Sequence, residues 1–377
     1  MYEFARVLPS LLWSTEMRIF YAVANSPNSQ LRSNLWRENL RGSLVKLGHE
    51  IVDFEYDLDR TFQHLDPRDP VQREFIRQNR PRLSDELLSQ VRKVHATQPV
   101  DLFFSYFYNA CVEPGVIRQI GSLGITTTNW FCNASYQFHL VSEVAPEYNF
   151  CLVPEKFRLE DYRRVGAKPI YCQEAANPEI YRPHAGREIF DVAFIGQAYG
   201  ERPALIEWLA DHRVYVRVWG QGWEYFRKRR PSFFGTRRGT DDRVPKIAPR
   251  LIGGILSDEE LVRTFSRAKI NLGFAGCWTN ENAGKRITQI RLRDFEVPMS
   301  GGFYLTEHQD ELEEFFEIDS EIVCYRTKEE LLEKIRFYLK HPDLRELIRN
   351  AGRRRCLNDH TWEKRFKTAF EQMELRT

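Results

Sequence analysis

Met17-Arg-Ile-Phe-Tyr-Ala-Val-Ala24 is a short apolar run of the kind that forms a strand buried on both faces. A polar turn, Asn25-Ser-Pro-Asn-Ser29, follows it. Then comes a helical stretch from about Gln30 to Leu47, in which Leu31, Leu35, Leu40, Leu44 and Leu47 make one apolar stripe. Gly48 closes that helix, and His49-Glu-Ile-Val-Asp-Phe54 resumes strand character. A strand, a helix and a strand in this order imply a right-handed crossover, so the unit commits the chain to a parallel sheet.

The rhythm continues in two series. In the first, residues 70–97 read as one or two helices, Val100 to Ser105 as a strand, 113–121 as a helix, and Gly124 to Asn129, Asn149 to Val153 and Pro169 to Cys172 as strands. Residues 177–188 carry two prolines and a glycine and read as a linker. The second series has strands at Phe190 to Ile195, Val214 to Trp219, Ala268 to Phe274, Phe303 to Thr306 and Ile322 to Cys324. Its helices are expected at Arg202 to Asp211, Ser257 to Arg267, about Thr288 to Pro298, and 328–340, 343–357 and 360–374. Ser257 with Glu260 three residues on is a capping box. The expected fold class is therefore α/β, two Rossmann-like sheets in tandem. Its domains run 1–16 (a lead-in), 17–183, 184–358 and a final helix over 359–377.

At 377 residues, two domains are the default, and a hydrophobic fraction of 42% is that of an ordinary globular chain. Fifty-five Lys and Arg balance 53 Asp and Glu, which argues against a dedicated nucleic-acid coat. No apolar run approaches the ~20 residues of a spanning helix, and Glu3, Arg6 and Glu16 interrupt any signal-peptide core. A cytoplasmic location is expected. The seven cysteines include no C-x-x-C pair, so no zinc site is expected and reduced, mostly buried thiols are.

Open parallel sheets bind ligands at the carboxyl ends of their strands. Gly196-Gln-Ala-Tyr-Gly200 follows a strand and precedes a helix, so Gly196 and Gln197 suit a phosphate, or equally a plain turn. After the strand at Asn271, a long polar loop ends in Lys285 and Arg286, two cations suited to a diphosphate or to solvent. In Arg291-Leu-Arg-Asp-Phe-Glu296, ahead of Ser300-Gly-Gly302, the Glu296 carboxylate has the chemistry to accept from both ribose hydroxyls. Arg291 joins it as a candidate nucleotide ligand. Trp219-Gly220-Gln-Gly-Trp223 offers either an edge for the base or a packed turn. His139, Glu143 and Glu147 are candidate general bases, each more often structural. Asp57-Leu-Asp59 reads as surface polarity, and no metal is expected. Phe226 to Arg238 is the most cationic stretch, with aromatics between its basic residues.

The segment from Asp294 to Phe366 resembles the C-terminal domain of the CgeB-like, spore-maturation glycosyltransferase family. The matching words are Arg293-Asp-Phe-Glu-Val-Pro-Met-Ser-Gly-Gly-Phe303, Glu311-Leu-Glu-Glu-Phe-Phe316, Glu321-Ile-Val-Cys-Tyr-Arg326, Leu331 to Leu339, Ala351-Gly-Arg353 and His360-Thr-Trp-Glu-Lys-Arg-Phe366. The likeness extends loosely to Phe190 and includes the linker word Asn177-Pro-Glu-Ile-Tyr-Arg-Pro183. It implies the GT-B fold, two Rossmann-like domains facing across a cleft, with the last helix crossing back to the first domain. It also implies a metal-independent enzyme taking a UDP-, dTDP- or GDP-sugar, with Glu296 on the donor ribose. Many retaining enzymes of this fold have a second glutamate eight positions earlier; here that position is Thr288. The acceptor, whether glycan, protein or small molecule, is left open. The rival readings are a nucleotide-sugar epimerase or isomerase of the same fold, and a non-enzymatic protein binding nucleic acid or an anionic polymer.

Overall fold

The computed structural model describes residues 16–24, 33–64, 66–227, 244–277 and 286–375. Six strands make the first sheet: β1 (Arg18–Ala22), β2 (Glu50–Asp53), β3 (Leu102–Ser105), β4 (Thr126–Trp130), β5 (Phe150–Val153) and β6 (Pro169–Tyr171). All pair in parallel, in the order β2-β1-β3-β4-β5-β6. The helices around them are α1 (Leu35–Arg37), α2 (Ser43–Lys46), α3 (Asp59–Phe62), α4 (Pro70–Thr97), α5 (Pro114–Gly121), α6 (Ala134–Val141) and α7 (Leu159–Arg164). A π-turn over Glu38–Gly42 joins α1 to α2.

Where the sequence allows one helix or two over 70–97, α4 is one helix of 28 residues. The Asp69 carboxylate starts it by accepting from the N–H groups of Val71 and Gln72, both at 2.9 Å. Leu83, Leu87 and Val91, at i, i+4 and i+8, then pack its inner face into the core.

The second sheet holds β7 (Phe190–Ile195), β8 (Val216–Trp219), β9 (Ala268–Leu272), β12 (Tyr304–Glu307) and β13 (Val323–Tyr325), parallel in the order β13-β12-β9-β7-β8. Two short strands, β10 (Gly276–Cys277) and β11 (Ile287–Thr288), pair antiparallel beyond the end of β9. Thr288 therefore sits in a strand. The helix expected from it, α10 (Leu292–Met299), starts four residues later. The remaining helices are α8 (Arg202–Asp211), α9 (Asp258–Arg267), α11 (Lys328–Lys340), α12 (Pro342–Asp359) and α13 (Trp362–Gln372).

The two domains exchange chain twice, side by side. Ala176 forms a parallel bridge with Thr361, and the Ala176 N–H donates to the His360 carbonyl at 3.1 Å. His360 is pushed down to about 4 by burial, so its ring is neutral and Nε2 donates to the Phe315 carbonyl at 2.7 Å. Beyond this crossing α13 returns to the first domain. Trp362, Phe366 and Phe370 bury themselves among Ile19, Tyr21, Leu102, Phe104 and Trp130. The last helix thus closes the N-terminal core.

Candidate active site

Each sheet has one place where neighbouring strands lead off in opposite directions, β1/β3 in the first and β7/β9 in the second. At such a switch point the loops part and leave a crevice at the carboxyl ends of the strands. Here the two crevices face each other. A cavity of 800 Å³ is lined by Phe194 to Gln197 after β7 and Leu272 to Phe274 after β9. Val23 and Ala24 after β1, and Tyr106 and Tyr108 after β3, line the opposite wall. That volume suits a ligand of nucleotide-sugar size.

The Gly196 loop is held by backbone. Gly196 N–H donates to the Trp219 carbonyl at 2.9 Å, and Ala198 N–H to the Gln221 carbonyl at 2.9 Å. The indole N–H of Trp223 donates to the Gly196 carbonyl at 2.7 Å. Gly220, at φ +129°, presses so close that a Cβ there would stand 2.4 Å from the Gly196 oxygen. Gly196 and Gln197 line the cavity, whereas Trp219 and Gly220 do not. The Trp219–Trp223 segment is the packed turn behind the loop, and the expected contact with a nucleotide base is corrected. Trp219 is buried, with its ring edge-on to Phe190 in the second domain's core.

Three arginines from the second domain reach the cavity: Arg202, Arg291 and Arg293. Arg202 opens α8. Its guanidinium lies 3.9 Å from the Tyr199 ring centroid, and Nη1 donates to the Gln197 carbonyl at 3.0 Å. Desolvation holds it at about 10, still cationic at neutral pH. Arg291 caps α10 and donates from Nη2 to the Gly276 carbonyl at 2.7 Å and to the Tyr199 hydroxyl at 3.2 Å. Its backbone N–H is tied to Asp294 at 2.7 Å, and Tyr304 donates to the same carboxylate at 2.7 Å. The Nε atoms of Arg202 and Arg291 are buried and have no hydrogen-bond partner among the described residues. Fixed, desolvated guanidinium groups with N–H to spare beside a helix N-terminus make an anion site.

Glu296 is not part of the cavity wall. The carboxylate is fully buried, accepts from the Tyr181 hydroxyl, and is paired with Arg293 one turn earlier on α10. The ribose contact expected of it is therefore corrected: a carboxylate buried this deeply needs a counter-charge, and Arg293 is that charge. What it does is position Arg293, whose Nε donates to the Ile195 carbonyl at 3.3 Å under the Gly196 loop. Arg286 is also not a free cation. It is exposed and bound to Glu307 at 2.6 Å and Glu201 at 3.2 Å. Lys285 and the basic run from Lys228 to Arg238 lie outside the described residues. His139 is exposed on α6, and only its neighbours Gln137 and Leu140 face the cavity, so it is not placed as a base. Glu143 and Glu147 are paired with Arg80 and Arg118 outside the cavity. Asp59, by contrast, lines it.

The first domain offers a different wall. Trp36, 39% exposed, lies 5.2 Å from Trp130, which in turn lies 6.0 Å from Tyr106. Asn133 and Gln137 add amides to this aromatic surface. None of Trp36, Arg202, Arg293 and Glu174 is singled out by local sequence; each gains its place only through the facing of two distant sheets.

Residues 202–371 match a family model described as glycosyl transferase-like. The chain is an enzyme of the glycosyltransferase type. Its fold agrees. A sucrose-phosphate synthase from Thermosynechococcus elongatus is similar at a TM-score of 0.59 and 10% identity, over 96% of this chain and 100% of that one. A glycosyltransferase from Rickettsia africae ESF-5 is similar at 0.58 and 11%, over 94% and 97%. Anabaena HepE, solved with UDP and glucose, is similar at 0.58 and 8%, over 95% and 99%. The enzyme therefore has the GT-B arrangement of two Rossmann-like domains. A search of curated proteins finds no match. No described helix is long and apolar enough to cross a membrane.

Proposed function

We propose that the enzyme binds a nucleoside-diphosphate sugar in the interdomain cleft and transfers the sugar to an acceptor hydroxyl held on the first domain. The observation that carries this is the cationic wall of Arg202, Arg291 and Arg293, grouped at the β7/β9 switch point around the Gly196 loop. The diphosphate lies against that wall. As the acceptor hydroxyl passes its proton to solvent water and its oxygen bonds to the anomeric carbon, the bond from that carbon to the diphosphate breaks. The electron pair leaves on phosphate, where fixed guanidinium groups stabilise the new charge without having to reorganise. The complex of HepE with UDP and glucose favours uridine as the first base to try. The aromatic and amide surface around Trp36 is the acceptor side, where flat rings stack on sugar faces or other apolar groups. The words from Asp294 to Phe366 support the CgeB-like subtype.

A thermal-shift screen tests the reading. A ligand present at a hundredfold excess over its Kd stabilises the native state by about 2.7 kcal/mol. UDP, dTDP or GDP, or a sugar carried by one of them, is expected to raise the melting temperature by several degrees, while the free sugars leave it unchanged. A flat response to every nucleotide would remove the proposal.

A further inference from the structure

One buried acidic group stands in the cationic cleft without an assigned task. Glu174 lies in the segment that leaves β6 for the second domain, and it is 8% exposed. It lines the main cavity together with Gln289, also 8% exposed, on the opposite domain. The same two residues line a small adjoining cavity beside Cys132. Neither side chain hydrogen-bonds to another described residue, and the Gln289 carbonyl oxygen is buried without a partner. A buried carboxyl and a buried amide facing one space unpaired are costly unless something polar fills it.

We propose that Glu174, with Gln289 opposite, is the site that grips the hydroxyl groups of the transferred sugar. The inference rests on the donor reading given above. Its reasoning is positional. A donor anchored by its diphosphate on the second domain presents its sugar toward the first, because the acceptor is there. Glu174 belongs to the first domain's side of the junction, and Gln289 lies two residues before Arg291 on the other. A neutral carboxyl so placed suits uncharged hydroxyls, to which it both donates and accepts. Burial supports this: it pushes the Glu174 carboxyl up to about 8, against the pull of Arg291, so the group keeps its proton at neutral pH. The amide of Gln289 supplies a donor and an acceptor across the same space.

The test compares a nucleotide with its own sugar. Calorimetry on wild type, Glu174→Gln and Glu174→Ala uses UDP, dTDP and GDP beside UDP-glucose, UDP-N-acetylglucosamine, dTDP-glucose and GDP-mannose. For whichever nucleotide sugar binds wild type, Glu174→Ala is expected to weaken it tenfold or more, and Glu174→Gln by less, because the amide still bonds to hydroxyls. The parent nucleoside diphosphate should bind both variants within twofold of wild type. That contrast is one a merely structural role would not produce. Equal loss of nucleotide and nucleotide sugar would overturn the inference by assigning Glu174 to the ribose, the diphosphate or the fold. Unchanged binding of the sugar form would overturn it as well. If no nucleotide binds wild type, the donor reading itself fails and takes this one with it.

Discussion

Arg291→Met is expected to weaken binding of a nucleoside diphosphate by about two orders of magnitude. A charge-assisted hydrogen bond contributes roughly 1.5–3 kcal/mol, and the guanidinium presents more than one N–H to a diphosphate. The Arg291 fork is already oriented by the Gly276 carbonyl and the Tyr199 hydroxyl, so little side-chain freedom remains to be lost on binding. Methionine keeps much of the stem's volume and removes the charge. Arg291→Lys should also lose most of the affinity, because an ammonium cannot meet two fixed acceptors and a phosphate in one plane. Calorimetry with the nucleotide that wild type binds reads the effect directly. Binding within twofold of wild type would take Arg291 out of the site.

The second large effect is on the loop rather than on the charge. Gly220 holds φ at +129°, a conformation that side chains disfavour, and its would-be Cβ meets the Gly196 oxygen at 2.4 Å and the Gly196 carbonyl carbon at 2.7 Å. Both obstacles are backbone, so no side-chain rotation relieves them. Gly220→Ala should therefore lower stability by about 2–4 kcal/mol, combining backbone strain with overpacking. It should also push the Gly196 loop into the cleft and weaken nucleotide binding at least tenfold. Gly115→Ala is the contrasting case. That glycine lies in α5 with nothing within 4 Å of its would-be Cβ, so alanine there should be neutral or slightly stabilising. Urea denaturation midpoints of the two variants separate these outcomes; a Gly220→Ala protein as stable as wild type would mean the loop yields easily.

The architecture was legible because a buried parallel strand announces itself as an unbroken apolar run. Val192 to Ile195 does so within β7, whereas Ala268 to Leu272 is interrupted by Lys269 and Asn271, and each strand is followed by a loop that reaches the cleft. Gly196 and Gln197 follow the end of β7 and line the cavity, as does Arg291 at the start of α10. Glu296 shows where that reading stops. Its counter-ion Arg293 was visible three positions earlier on the same helix face, but its second partner, Tyr181, lies 115 residues away in the linker. Only the folded linker reveals that the carboxylate already accepts from Tyr181. Arg286 is similar: it looks like a free cation until β12 brings Glu307 beside it. Glu174 gave no local signal, since nothing in Tyr171-Cys-Gln-Glu-Ala175 marks one residue as facing the other domain.

The claim that a nucleotide occupies the crevice between the sheets is tested most directly by hydrogen–deuterium exchange with and without saturating nucleoside diphosphate. Slowed exchange is expected in the peptides spanning 194–202 and 286–293, which hold the Gly196 loop and the start of α10, with the helical face of α4 unchanged. Protection confined to surfaces away from both segments, at a nucleotide concentration shown to saturate the protein, would contradict the placement.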